Sequence, residues 1–275
     1  MNGKTKVLLF LAGLAAAALL TAGCGGSAGD KKSADSGKPI KIGATAGPHA
    51  DVVHAVAEEA KKQGLKVEVV EFSDYITPDK ALAEGDLDLN SYQHAPFLAN
   101  FNKQNGTKLV PIGNTILMRM GIYSDKIHDL KAIPEGATVA IPNDPTNGGR
   151  GLVLLEKAGL IKLKNGDSIE ASVADITENP KNLQFVELDA AQTPRSLDDT
   201  DIACVNTNYA IPAGLNPKKD SILVESIESP YACVFAVRQG DENNETYKKV
   251  VQIYQSEAIK KFINDKYQGT ILPAF

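Results

Sequence analysis

The spacing of apolar and polar residues changes repeatedly along the chain, and each change predicts an element. Ile40 to Ala44 alternates as a short strand and ends in Thr45-Ala46-Gly47-Pro48. Pro48 suits the first position of a helix. From there Val52, Val53, Val56, Ala57 and Ala60 fall on one face, Glu58, Glu59, Lys61 and Lys62 lie elsewhere, and Gly64 is the stop. Leu65 to Phe72 alternates as a second strand. Thr77-Pro78-Asp79 opens a short helix with a cap, a proline and an acidic first turn, and Gly85 closes it. Asp86 to Asn90 reads as a strand, followed by a loop from Ser91 to Phe97 and a helix through Phe101. Ile116 to Tyr123 and Thr138 to Ile141 are further strands, with a loop from Lys126 to Gly136 between them. Later come a turn at Lys164-Asn165-Gly166-Asp167, a strand at Gln184 to Leu188 and a short helix around Ala190 to Leu197. Strands at Asp201 to Val205, Ile222 to Val224 and Ala232 to Val237 precede two closing helices, Glu245 to Gln255 and Ala258 to Tyr267. This alternation predicts an α/β fold: mostly parallel sheet, helices on both faces, and ligands beyond the carboxyl ends of the strands.

The chemistry centres on Asn143-Asp144-Pro145-Thr146-Asn147-Gly148-Gly149-Arg150. A buried strand precedes this turn, and Leu152 to Ala158 after it reads as a helix stopped by Gly159. Backbone N–H groups left free at a helix start form an anion site. Arg150 in a first turn would oppose the helix dipole at ~0.3–1 kcal/mol. A bound carboxylate reverses that sign, and a guanidinium holds a carboxylate through two hydrogen bonds. No Gly-Lys-Ser/Thr follows the glycines, so this is not a Walker loop. The turn points to capture of a small anion or zwitterion. Tyr75 lies in one loop after a strand, and Tyr92, His94 and Phe97 lie in another, as candidates for an apolar wall.

The first residues predict a targeting segment. Lys4 and Lys6 form a positive n-region before the apolar run Val7 to Ala22, too short for a membrane span and suited to a signal peptide. Ala22-Gly23-Cys24 resembles the lipobox of bacterial lipoproteins, which implies a signal peptide over 1–23 and a lipid on Cys24. Thr21 stands where that motif more often has Leu. Residues 24–38 then read as a flexible Gly/Ser/Lys/Asp tether. The formal net charge is −5, and it becomes −7 once the leader's two lysines are removed. No basic block occurs, which argues against a nucleic-acid partner. Cys204 and Cys233 both lie in apolar runs; export permits a disulfide, and each equally suits a small buried hydrophobe.

Other chemistries find no support. The histidines are His49, His54, His94 and His128; His49 and His54 sit about 140° apart around a helix of 3.6 residues per turn and cannot share a metal from one face. There is no zinc spacing, calcium loop, Gly-x-Ser-x-Gly elbow or dinucleotide fingerprint, so no metal, cofactor or catalytic set is expected.

Five segments then act together: Asp74-Tyr75, Ser91 to Leu98, Asn143 to Arg150, Asn206-Thr207-Asn208-Tyr209-Ala210 and Ser229-Pro230-Tyr231. In this order they resemble the methionine-binding lipoprotein family (NlpA/MetQ type), the solute receptors of methionine ABC importers. The resemblance runs from about Ile40 to Phe275. It implies a two-lobed periplasmic-binding-protein fold, type II-like, each lobe a mostly parallel sheet flanked by helices, with the ligand in the cleft. Lobe 1 would span 39–133 plus 226–275, and lobe 2 would span 134–225. Carried over by position, Tyr75, Tyr92, His94 and Phe97 would line a thioether pocket. Arg150 would take the carboxylate with Asn147 nearby, and Asn206 would bond the polar head. The family usually has a ligand-holding asparagine where this chain has Cys233. A thiol is a weak donor in place of a two-way amide, and loss of one bond to a charged head group costs ~1.5–3 kcal/mol. The resemblance implies a monomeric, lipid-anchored, extracytoplasmic receptor for methionine or a methionine-containing dipeptide, working with a membrane permease and its ATPase. The alternatives are a receptor for another small amino acid or carboxylate, and more distantly a secreted enzyme on the same fold.

Overall fold

The computed structural model describes residues 37–166 and 168–275. The leader, Cys24, the tether up to Ser36 and Asp167 of the Lys164 turn lie outside the described residues. The chain first forms β1 (Ile40–Thr45), α1 (Pro48–Lys62), β2 (Val67–Phe72), α2 (Thr77–Glu84), β3 (Leu89–His94), α3 (Ala95–Asn105) and β4 (Leu109–Met118). Next come β5 (Gly121–Tyr123), β6 (Thr138–Pro142), α4 (Pro145–Lys157), β7 (Lys162–Leu163), β8 (Ile176–Glu178), β9 (Gln184–Leu188), β10 (Ile202–Val205), α5 (Thr207–Ala210) and β11 (Ser221–Val224). The chain closes with β12 (Ala232–Arg238), α6 (Glu245–Tyr254), α7 (Glu257–Tyr267) and β13 (Ile271–Pro273).

These strands build two main sheets, one of six strands in the order β13-β4-β12-β3-β1-β2 and one of five in the order β11-β5-β10-β6-β9; β7 and β8 form a separate pair. Both main sheets are mixed rather than mostly parallel. The β1–β2, β1–β3, β6–β9 and β6–β10 pairs are parallel, whereas β12 runs antiparallel to both β3 and β4, and β5 antiparallel to β10 and β11. β12 and β5 are the reversed strands that enter each sheet from the other, and β13, antiparallel to β4, is reversed at the edge of the first sheet. β5 follows β4 across the gap and β12 follows β11 back, so each runs against the strands whose carboxyl ends face that gap.

Sheet membership changes between Met118 and Gly121 and again between Val224 and Ala232. β5 already belongs to the second sheet, whereas the sequence reading puts residues up to 133 in lobe 1. The stretch Ile116 to Tyr123, which reads as one apolar strand, is the end of β4 and all of β5, broken at Arg119-Met120. Two other boundaries also differ. β3 reaches His94, so Tyr92 and His94 stand on the strand and not in a loop; all six of its residues are buried, so they do not alternate in polarity. Helix α4 begins at Pro145, ahead of the glycine pair, with the Asp144 side chain capping the backbone N–H of Asn147.

Each sheet is covered on both faces. In the first, Val52, Val53 and Val56 of α1 with Val250, Ile259 and Ile263 of α6 and α7 pack on Ile42, Leu89 and Phe235. The opposite face takes Leu82, Phe97, Leu98 and Phe101. In the second, Leu152 and Leu155 of α4 pack on Ile122, Val139, Ile141 and Ile202, and Tyr123, Ala140, Leu197 and Val205 fill the other side. Cys204 and Cys233 fall in different cores, both buried and both free thiols. Of the two alternatives left open by the sequence, the small buried hydrophobe is the one observed.

Candidate functional site

A cavity lies between the sheets, lined by residues of both, the place where ligand sites in two-lobed folds occur. The first sheet and its helices contribute Tyr75, Tyr92, His94, Phe97 and Cys233, and the second contributes Asn147, Arg150 and Asn206. All eight residues singled out in the sequence thus line one space, although they come from five separate segments. The carboxyl ends of β2, β3, β6 and β10 deliver most of them, as an α/β sheet should.

The apolar wall is a cluster of rings. Tyr75 meets Tyr92 at 6.0 Å between centroids and Phe97 edge-on at 6.0 Å, and Tyr92 meets Phe97 at 6.2 Å. The Tyr92 hydroxyl donates to the Tyr75 carbonyl at 2.7 Å, fixing both rings. Burial raises the pKa of both phenols well above the usual value, so they stay neutral. Tyr209 closes the wall from the second sheet, stacking on Tyr75 at 4.8 Å and donating to the Ser73 carbonyl at 3.2 Å.

The polar wall turns on Asn147. Its Nδ2 donates to Asp144, at 3.1 Å to Oδ1 and 3.0 Å to Oδ2, which settles the direction of the amide. Its Oδ1 accepts from Asn206 Nδ2 at 2.8 Å and lies 3.3 Å from His94 Nε2. His94 Nδ1 accepts the Phe97 backbone N–H at 3.1 Å; the proton therefore sits on Nε2, and His94 reaches across the gap as a donor. Burial, reinforced by the charge of Arg150, lowers its pKa to about 3. Asn206 Oδ1 remains buried without a hydrogen-bond partner.

Arg150 differs from the expectation in two ways. It is the sixth residue of α4, beyond the first turn, and the free N–H groups there are capped by Asp144, so the helix start is not an open anion site. Its charge is already matched inside the chain. Glu225 accepts from Arg150 Nε at 2.7 Å and Nη2 at 2.5 Å, with the arginine 3 % and the glutamate 10 % exposed. Nη2 also donates to the Met118 carbonyl at 2.7 Å, and the guanidinium lies 4.3 Å from the centre of the Tyr231 ring. Burial opposes the charged form, but the attraction of Glu225 outweighs it and raises the Arg150 pKa. These hydrogen bonds use Nε and Nη2 of the guanidinium.

Cys233 stands opposite His94 across the β12–β3 pair. Burial pushes its thiol up to about 12, against the opposing pull of Arg150, so it presents a neutral, weakly bonding surface. Sequence reasoning missed Glu225, and also His49, Gln93, Met118, Thr207 and Asn208 on the cavity wall. His49 and Asn208 had a usable signal, since each follows directly on the carboxyl end of a strand. Glu225 had none, because its partner is 75 residues away.

Two lobes joined by two crossing segments, with a cavity between them, define the class: a periplasmic-binding-protein fold. The chain belongs to the NlpA lipoprotein family, which it matches over residues 40–275. It is 47% identical over 233 residues to the D-methionine-binding lipoprotein MetQ of Escherichia coli K12, covering 84% of this chain and 86% of that one. Lipoprotein 28 of the same strain is 43% identical over 275 residues, covering 99% and 97%. Among solved structures, a nutrient-binding protein from Burkholderia cenocepacia bound to methionine superposes with a TM-score of 0.84 at 49% identity, over 86% of this chain and 100% of that one.

Proposed function

We propose that this protein is a lipid-anchored extracytoplasmic receptor that binds methionine, or a derivative such as a methionine-containing dipeptide, and hands it to an ABC permease and its ATPase. The observation that carries this reading is the pairing, in one cavity, of a buried guanidinium with a wall of three aromatic rings. The first suits an α-carboxylate and the second a thioether, whose soft sulfur is attracted to ring edges. The methionine-bound relative supports the same assignment.

In this reading Tyr75, Tyr92 and Phe97 hold the side chain, and Arg150 takes the carboxylate. Asn147 and His94 fix the polar wall, and Asn206 offers its open carbonyl oxygen. Cys233 forms part of the wall without a strong hydrogen bond, which favours a ligand whose head group is satisfied elsewhere. The anchor would be the lipid on Cys24, and among the described residues no helix is long and apolar enough to cross a membrane. Closing the lobes over the solute is a hinge motion about residues 118–121 and 225–231. The protein acts alone, as a monomer, and retains its ligand without turning it over.

Isothermal titration with L-methionine, D-methionine and a methionine dipeptide tests the reading. Stoichiometric binding of at least one is expected, and Arg150→Ala should abolish it. Lys62→Ala, on the exposed face of α1 where Lys62 pairs with Glu59, should bind as wild type. Equal binding by both variants would refute the site.

A further inference from the structure

The stretch that follows β10 belongs to the second lobe and reaches the first repeatedly. Ala210 and Leu215 pack with Tyr123 and Val205 in the core of the second sheet, which fixes the stretch to that lobe. The side chains between and beyond them turn the other way. Tyr209 stacks on Tyr75, and its hydroxyl donates to the Ser73 carbonyl, both in the loop after β2. Ile211 packs against the core of the first sheet. Lys218 Nζ donates to the Gln268 carbonyl, and Gln268 is the left-handed cap (φ 48°) that ends α7.

Two glycines of the first lobe make room for these contacts. Gly47, in the turn after β1, has φ +91°, and a Cβ there would lie 2.9 Å from the Pro212 ring. Gly269, just past α7, has φ +78°, and a Cβ there would lie 2.9 Å from Lys218 Nζ. At both turns a left-handed backbone without a side chain admits an atom of the facing lobe. Lys218 thus sits where the last carbonyls of a helix and the negative end of its dipole attract a cation.

Tyr209, Ile211, Pro212 and Lys218 lie outside the set of residues that line the cavity. Their polar contacts are also of a kind that parts readily. Pro212 and Lys218 are exposed and Tyr209 is half-buried, so water replaces each hydrogen bond as it breaks and the net stabilisation from each is modest. That suits a seam that opens and recloses.

We propose that residues 207–218 form a strap that holds the lobes together from outside the cavity, so that the residence time of the solute is set in part by side chains that never touch it. The inference rests on the reading that the lobes open and close over a solute, and it adds what holds the closed form.

The test uses the full-length protein carrying Tyr209→Phe, Lys218→Ala or both. The first keeps the ring and removes only the bond to Ser73. Stopped-flow displacement of methionine and of leucine reads dissociation. The combined variant should release either solute roughly two- to tenfold faster, by the same factor for both, with association no slower. Lys218→Arg still offers a donor to the Gln268 carbonyl and should release near the wild-type rate. A second measurement needs no solute. Lys103 of the first lobe and Glu170 of the second meet across the gap at 3.6 Å, both mostly exposed; such a pair contributes little, so spin labels at Lys103→Cys and Glu170→Cys report closure without controlling it. Their dipolar broadening should be present in the ligand-free protein and reduced once Tyr209→Phe and Lys218→Ala are added. If leucine binds and methionine does not, methionine fails as the solute and leucine still tests the strap; if neither binds, the labels decide. The strap is overturned if the combined variant releases solute at the wild-type rate, if the change differs between the two solutes, or if the ligand-free broadening is absent or unaltered by the two substitutions.

Discussion

Removing Glu225 separates two roles that Arg150 combines. Glu225 accepts from Arg150 twice and from the Met120 backbone N–H at 2.8 Å. In Glu225→Ala the arginine, 3 % exposed, loses its carboxylate partner and keeps the bond to the Met118 carbonyl. Breaking a buried pair by deleting one member costs ~3–5 kcal/mol, mostly because the remaining charge is left uncompensated. For a folded body of this size each kcal/mol moves the midpoint by roughly 2–4 °C, so a fall of roughly 6–20 °C is expected by calorimetry, with a matching loss in urea unfolding. The double variant Arg150→Met/Glu225→Leu should recover that stability, because well-packed apolar residues replace a buried pair at little or no cost. It should nevertheless bind no methionine. If Glu225→Ala loses less than ~1 kcal/mol, against the cost expected of breaking a buried pair, the ion pair is not what neutralises Arg150. If the double variant still binds, the carboxylate site lies elsewhere.

Acid should destabilise the protein through His49 and His94. Burial holds both near a pKa of about 3, so below the ordinary value of 6.5 the unfolded chain takes up protons that the folded one refuses. Their contribution is full above that value and is lost toward pH 3, about 2 kcal/mol from each by pH 5; His94→Gln should flatten the pH profile of urea midpoints in this range. Asp79 works in the opposite sense. Burial raises it to about 6 against the pull of Asn90, Gln93 and Tyr92, so its contribution is full below 3.8 and lost as pH rises through 6. Asp79→Asn should therefore stabilise the protein at pH 7 and not at pH 4, as read by the same denaturation series. Gly149→Ala should cost ~1–3 kcal/mol by overpacking, since a Cβ would lie 2.7 Å from the Ile169 carbonyl oxygen, and thermal melts would register it. Cys204 and Cys233, both raised by burial, should resist a thiol reagent at pH 8 in the native protein and react fully in guanidinium.

The sequence made most of the cavity wall legible because its residues cluster at strand ends, where an α/β sheet puts ligands. The sequence presents Arg150 as a cation opposed to a helix dipole, whereas in the structure Asp144 caps the helix start and Glu225 pairs the guanidinium. The glycine pair suggested a loop baring its N–H groups. Instead a Cβ at Gly148 would lie 2.7 Å from the Pro142 carbonyl oxygen, and one at Gly149 the same distance from Ile169, so the glycines admit neighbouring backbone into a continuous helix. The sheet change at Arg119-Met120 was hidden for another reason. The apolar residues run on without interruption through the crossing, and only long-range pairing reveals which sheet each side joins.

Glu225 has a consequence for anything that must distinguish a laden molecule from a bare one. A zwitterion carries no net charge, so taking one in leaves the molecule's total charge as it was, and with Glu225 already pairing Arg150 the bare cavity holds no unmatched cation whose field would change. A downstream machine could not sort the two by electrostatic attraction and would have to read the relative placement of the halves. Salt should for the same reason have little influence on how tightly the solute is held.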